Sequence, residues 1–470
     1  MPLPFPIPLP VARPSLRAAF RAALRATVGG AGVTLLLLVV VRPLAGGARS
    51  DENGDGPPVR VLLLEAPLIT IGAAGPSGLR LRDQEGRLLL EVDPGRQLRV
   101  RRSGASITLE PTASGDPGPL PAQRDAPPLP SIPLQELRLD PIDARGLLVL
   151  KQRRYRGGLL LRAQGEGLQA INRLPLELYL AGVVGSEMPA SWPQAALRAQ
   201  AIASRTYALQ QLRPEAPYDL KATVASQMYK GVEGESDAVR EAVASTRSQV
   251  LMYGERLINA VFHSSSGGLT ENSGDLWSRQ LPYLVSVPDD DSVSPVSRWE
   301  KTFTPEALGQ AFQEIGGANL IQPLATSRTG RIMRAKVVGP QGELVLSGSA
   351  LRERLGLRST LVQFRFEPAG RMGAAEAPSS PPLAPPPLNP EEANAAAPMA
   401  DGGISESVAR PLASPNPAPG PPAPRLVARG RGFGHGVGMS QWGAYALALS
   451  GKSHEDILLH YYRGAVLRTW

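Results

Sequence analysis

From residue 59 to about residue 109 the chain sets short apolar runs, VRVLLL, LITIG, LLLEV, LRVRR and SITLE, between glycine, proline and charged residues. Runs of this length bounded by turn formers predict strands. A proline-rich interruption, PTASGDPGPLPAQRDAPPLPSIP, follows, and strand-like runs resume at LRLD, GLLVLK, YRGGLLLRA and LQAIN. Over about 174–184 the period becomes helical, and the clearest helix spans about 192–212. Ser191 is placed as its N-cap with Gln194 at the third helical position, a capping box. Pro193 suits a first turn, and Pro214 stops the run. Ala195, Ala199 and Ala203 give this helix a small-residue face that another backbone can approach.

Further along, 236–246 reads as a helix, QVLMY and INAVFHS as strands, and 331–365 as strands around a short helix. Residues 373–424 lose all apolar periodicity and become rich in proline, alanine and serine. That composition predicts a disordered or polyproline II linker. Ordered patterning returns with LVARGRGFGHGVGMSQWGAYALALSGKSHEDILLHYYRGAVL. The expected fold is α+β, with a β-rich part over 59–170, a core over 171–372 containing the long helix, the insert over 373–424, and a segment over 425–470 that completes the core.

Charge alters this picture less than its total suggests. Of the net +8, six arginines lie within residues 1–49, which contain no acid. The nearly balanced remainder has little pull on a polyanion, which argues against nucleic acid as a partner. In that first segment a basic region precedes an apolar stretch over 26–41, and Ala45, Gly46, Gly47 and Ala48 follow. The pattern is that of a signal peptide or an uncleaved N-terminal membrane anchor, either of which places the protein outside the cytoplasm, in the periplasm or cell wall. The apolar stretch, broken by Gly29, Gly30 and Gly32, falls short of the ~20 residues of a full span. The chain has no cysteine, which removes thiolate metal sites and cysteine nucleophiles together.

Several motifs then converge. The stretch LPLELYLAGVVGSEMPASWPQAALRAQAIASRTYAL resembles the core signature of the stage II sporulation protein D family, the SpoIID/LytB domain. So do SQMYKG, AVFHSSSGGLTENSGDLW, PYLVSV, and the terminal GFGHGVGMSQWGAYALA with ILLHYYRGAVL, all in the family's order. The resemblance implies an extracytoplasmic protein that acts on peptidoglycan glycan strands. The sporulation member is a lytic transglycosylase whose catalytic acid is the glutamate of the EMP motif, here Glu187. Other members are amidase enhancers, which stimulate an N-acetylmuramoyl-L-alanine amidase and need not cut glycan themselves.

Partial burial of Glu187 against Val183, Val184 and Met188 would raise its proton affinity. A position ahead of the long helix would lower it, because a helix N-terminus favours the charged form. Arg205 is a candidate for substrate carboxylates, with a structural salt bridge as the competing role. Gln227 and Tyr229 suit sugar recognition. His263 opens a polar loop with Ser265, Ser266 and Gly267. His435, among alternate glycines, and Gln441 are candidate cleft-lining groups. Some family members hold zinc near the His263 segment with cysteine among the ligands. Without cysteine, zinc here would need His263, a second histidine and acids such as Glu271 or Asp275, and the expectation is no cofactor.

Overall fold

Alternation of apolar and polar positions builds two sheets from the first part of the chain. The computed structural model describes residues 56–75, 78–104, 106–112, 136–143, 145–277, 279–367 and 425–470. The N-terminal segment, most of the first proline-rich interruption and the 373–424 insert lie outside the described residues. The first sheet has seven strands in the order Leu220–Lys221, Pro58–Ala66, Gly167–Pro175, Gly158–Gln164, Glu136–Pro141, Leu79–Arg82 and Leu88–Val92. Its pairs are antiparallel apart from the edge pair Val61↔Leu220. The second has five, ordered Ser106–Thr112, Gln97–Ser103, Leu68–Ala74, Leu147–Leu150 and Arg153–Tyr155.

Residues two apart on each strand, such as Val59 and Val61, Leu159 and Leu161, or Leu98 and Val100, point into one core shared by both sheets and the helices that follow. The fold is mixed α+β with more strand than helix. The strand Gly167–Pro175 runs directly into helix α1 (Leu176–Glu187). Leu176, Tyr179, Leu180, Val183 and Val184 are all buried, so α1 is apolar around most of its circumference and sits in the interior.

Helix α2 (Gln194–Gln211) packs against α1 and against α3 (Asp237–Ser245). Ala199 and Ala203 are fully buried there. The expected capping box does not form. Pro193 occupies the N-cap position, no side chain caps the helix, and Gln194 Nε2 donates instead to the Ala238 carbonyl at 3.0 Å. Ser236 does cap α3, accepting from the Val239 amide.

Helices α4 (Ser273–Leu276), α5 (Pro305–Ala311) and α6 (Gly348–Arg354) follow. The last two belong to a second core formed by Phe303, Phe312, Ile332, Val337, Leu351, Leu355 and Leu426, among others. One of its sheets places Arg425–Arg431 between Arg298–Phe303 and Val362–Glu367. Glu367 and Arg425 are directly paired and joined by an ion pair at 2.9 Å. The insert therefore leaves and re-enters on neighbouring antiparallel strands, a junction at which added loop length costs little. From Arg431 the chain crosses back to the first core and ends with α7 (Gln441–Leu449) and α8 (His454–Tyr461), which pack on α2. No helix among the described residues is long and apolar enough to cross a membrane.

Candidate active site

Glu187 is the last residue of α1, not the residue ahead of α2. This reverses the expected dipole contribution: the carboxylate stands at the negative end of its own helix, which disfavours the charged form. Its side chain is half-buried. Oε1 accepts from the Met228 amide at 2.7 Å, and Oε2 accepts from Gln441 Nε2 at 3.2 Å. Burial is the largest influence and raises its proton affinity. The Met228 and Gln441 hydrogen bonds and the Lys230 charge oppose it, and the net shift is upward from the ordinary carboxylic-acid value.

The carboxyl opens into a cavity of about 580 Å³. Aromatic side chains Trp192, Tyr207, Phe262, Trp277, Phe433 and Trp442 line it, with His263, His435, Lys230, Arg352, Arg358 and Gln441. Among the described residues lining this cleft, Glu187 is the only carboxylate. Trp192 and Trp442 meet edge-on with centroids 4.8 Å apart, and Trp277 lies 6.0 Å from the His435 ring.

His435 reaches the cleft because the glycine-rich strip is laid against residues 262–271. Phe262 pairs with Met439, Ser265 with Phe433 and Glu271 with Val437. Gly434 and Gly436 have φ of 110° and 88°, and a Cβ on them would stand 2.8 Å from His263 Cβ and 2.4 Å from the Arg331 guanidinium. Only glycine allows both that backbone and that approach. His435 Nδ1 accepts from the Val437 amide at 3.0 Å, which assigns its proton to Nε2. Burial, and then the charges of Arg331 and Arg352, push its pKa down to about 4. His263 Nδ1 donates to the Val437 carbonyl at 3.2 Å. Its pKa lies well below the usual histidine value, through burial first and then His435 and Arg331. Both imidazoles are therefore neutral at pH 7.

Six of the expected ligand-contacting groups lie elsewhere. Arg205 is 1% exposed and holds Glu177 in a two-pronged ion pair, with both contacts at 2.7 Å. Its role is the structural salt bridge, because no face of the guanidinium reaches the cleft. Gln227 is buried, accepting from the Tyr179 hydroxyl and donating to the Ser204 carbonyl. The Tyr229 hydroxyl donates to Asn172 Oδ1 at 2.9 Å, and its ring packs on Tyr155 and Tyr179. The Ser265 hydroxyl donates to Asp291, and Ser266 is fully buried with its carbonyl accepting from Arg331 Nη2 at 2.6 Å. Gly267 turns the chain at φ 81° and donates its amide to Asp291, so it too is scaffold. Of the SQMYKG segment, the cleft is lined instead by Met228 and Lys230.

The acids that zinc would have required are held in local contacts. Glu271 is buried, accepts from Ser327 and Thr329 and stands 3.9 Å from Arg331, while Asp275 accepts from Asn272. Sequence reasoning did not single out Trp192, Phe262, Trp277, Phe433 and Trp442 as cleft residues. The signal was present, since in a chain with only 5% aromatics all five fall within the family motifs. Lys230 was equally legible, inside SQMYKG. Arg352 and Arg358 lie in no motif.

A family signature described as SpoIID, Stage II sporulation protein, matches residues 164–253, which span α1, α2 and Glu187. Stage II sporulation protein D of Bacillus subtilis is 30% identical over 315 residues, covering 63% of this chain and 75% of that protein. The protein of the same name from Bacillus amyloliquefaciens is 29% identical over 314 residues, covering 63% of this chain and 74% of that one. A protein named amidase enhancer from Bacillus subtilis is 28% identical over 312 residues, covering 62% of this chain but 40% of its own length.

Proposed function

The chain belongs to the SpoIID/LytB family, and from that premise we propose that it is an exported cell-wall protein that cleaves peptidoglycan glycan strands as a lytic transglycosylase. The reaction breaks the β-1,4 bond between N-acetylmuramic acid and N-acetylglucosamine. Glu187 protonates the glycosidic oxygen, the muramic 6-hydroxyl attacks C1, and the resulting carboxylate takes the hydroxyl proton. The products are a new N-acetylglucosamine end and a 1,6-anhydro sugar.

One observation carries this reading: among the described residues lining the cleft, Glu187 is the single carboxylate. Glycosidases that use water or a protein nucleophile place two carboxyl groups about the scissile bond. An intramolecular hydroxyl replaces the second, and its attack needs no positioned water. The upward shift of Glu187 supports the acid role, since a proton donor must retain its proton near working pH. The aromatic walls suit the apolar faces of sugar rings, and neutral His435 adds polarity to the cleft without charge.

The relative named amidase enhancer favours a second reading, a glycan-binding protein that stimulates an N-acetylmuramoyl-L-alanine amidase without cutting sugar. Incubating the purified chain with purified sacculi and no amidase separates the two. New 1,6-anhydro ends detected by mass spectrometry establish the enzyme. Binding to sacculi without new ends establishes the enhancer.

A further inference from the structure

We infer that Arg352, with Arg358 beside it, is a carboxylate-recognition subsite in the cleft that holds Glu187, so that the glycan is read by an acidic substituent as well as by its sugar rings. This rests on the glycan reading of the cleft and adds what distinguishes the substrate.

Several buried and half-buried arginines among the described residues come with acids. Arg205 has Glu177, Arg60 has Asp219 and Arg156 has Glu235, each at 2.7 Å. Arg352 is half-buried in the cleft wall without one. Among the described residues its only side-chain hydrogen bond runs from Nε to the Leu357 carbonyl at 3.1 Å. That bond fixes the plane of the guanidinium and leaves the two terminal nitrogens as a fork, the geometry that takes a carboxylate through two parallel bonds.

Arg331, the charged group that its field reaches, has the same sign, and that field also weighs against a charge on His435. A partly desolvated cation among like charges is costly unless an anion joins it. Arg358 is exposed and lies over the Phe433 ring at 5.7 Å, which holds it at the same wall. With Lys230, the cleft presents three cations against one carboxyl, and that carboxyl is protonated when it acts as an acid. A neutral sugar chain offers these cations hydrogen-bond acceptors but no opposite charge. Peptidoglycan offers carboxylates from two sources, the lactyl ether of a muramic residue free of peptide and the stem peptide itself.

The test measures binding of the full chain carrying Glu187→Gln, which prevents turnover, by quenching of the cleft tryptophans. The probes are peptide-free strands, the same strands with their carboxyl groups reduced to alcohols, and peptide-bearing strands. Carboxylate-bearing strands should bind about tenfold or more tighter than the reduced ones, the scale of charge-assisted hydrogen bonds. Arg352→Gln should remove most of that difference and Arg352→Lys only part of it. Arg358→Gln, at an exposed position, narrows it without threatening the fold, and an unchanged Tm in Arg352→Gln excludes unfolding. Tighter binding of the peptide-free strand assigns the lactyl group, and of the peptide-bearing strand the stem peptide. Equal binding of native and reduced strands, or a full difference retained in Arg352→Gln, overturns the subsite and leaves the glycan reading standing. Failure to bind any strand overturns both.

Discussion

Glu187 is pulled in opposite directions by named neighbours, and burial prevails. Its raised proton affinity has two measurable consequences. As an acid it must hold its proton, so cleavage should fall as pH rises through its folded pKa. Lys230→Met removes an opposing charge, raises that pKa further and should move the alkaline limb of kcat/KM to higher pH, a shift visible in the pH–rate profile. For stability, a carboxyl that binds its proton more tightly when folded contributes fully below its unfolded pKa. That contribution is lost as pH climbs through the folded value. Glu187→Gln cannot lose it, so the Tm of the variant should gain on the wild type between pH 4 and pH 8. Equal Tm differences at both ends would contradict the assignment. At this scale the sequence revealed the EMP glutamate through its motif but not its direction of shift, because the dipole it feels depends on which helix it ends. Arg205 was misleading for a related reason: Glu177, its partner, lies 28 positions away and only the packing of α1 on α2 brings them together.

Helix α1 is positioned by close backbone approach. A Cβ on Gly185 would stand 1.8 Å from the Gly234 carbonyl, so the 3₁₀ turn Gly231–Gly234 lies directly against the helix. Gly185→Ala should destabilise by about 1–3 kcal/mol, as overpacking does, and should reduce cleavage because Glu187 is two residues further on. Thermal unfolding and product assay read the two effects separately. Arg205→Ala leaves Glu177 buried without its partner and should cost about 3–5 kcal/mol, with any loss of activity following the loss of fold. The existence of α1, α2 and α3 was legible from apolar periodicity and breakers. The capping box was not, since Pro193 takes the N-cap backbone and Gln194 turns to Ala238. Of INAVFHS only Phe262–His263 is a strand, because its partner, Met439–Ser440, is equally short and almost two hundred residues away.

The described residues hold two large cores, and the strip 431–438 runs from one to the other past the cleft. The C-terminal motif thus reaches the same cleft although it follows a long insert: Gln441 donates to Glu187 and His435 lines the same cavity. Replacing 368–424 with a two-residue Asn-Gly turn joins strands that already pair at Glu367 and Arg425. Loop closure grows only slowly with length, so Tm should hold or rise slightly, and a fall of several degrees would show that the insert contributes packing. Nothing in the apolar pattern separated the second core from the first, since both read as strands and short helices. Only the pairing of Arg425–Arg431 with Arg298–Phe303 and Val362–Glu367 distinguishes them. The most direct test of the whole account compares wild type and Glu187→Gln on peptide-free glycan strands, counting 1,6-anhydro ends by mass spectrometry. The account predicts that the variant binds the strands, keeps its fold and forms new ends at least ~100-fold more slowly. Anhydro ends appearing at the wild-type rate in the variant would contradict it.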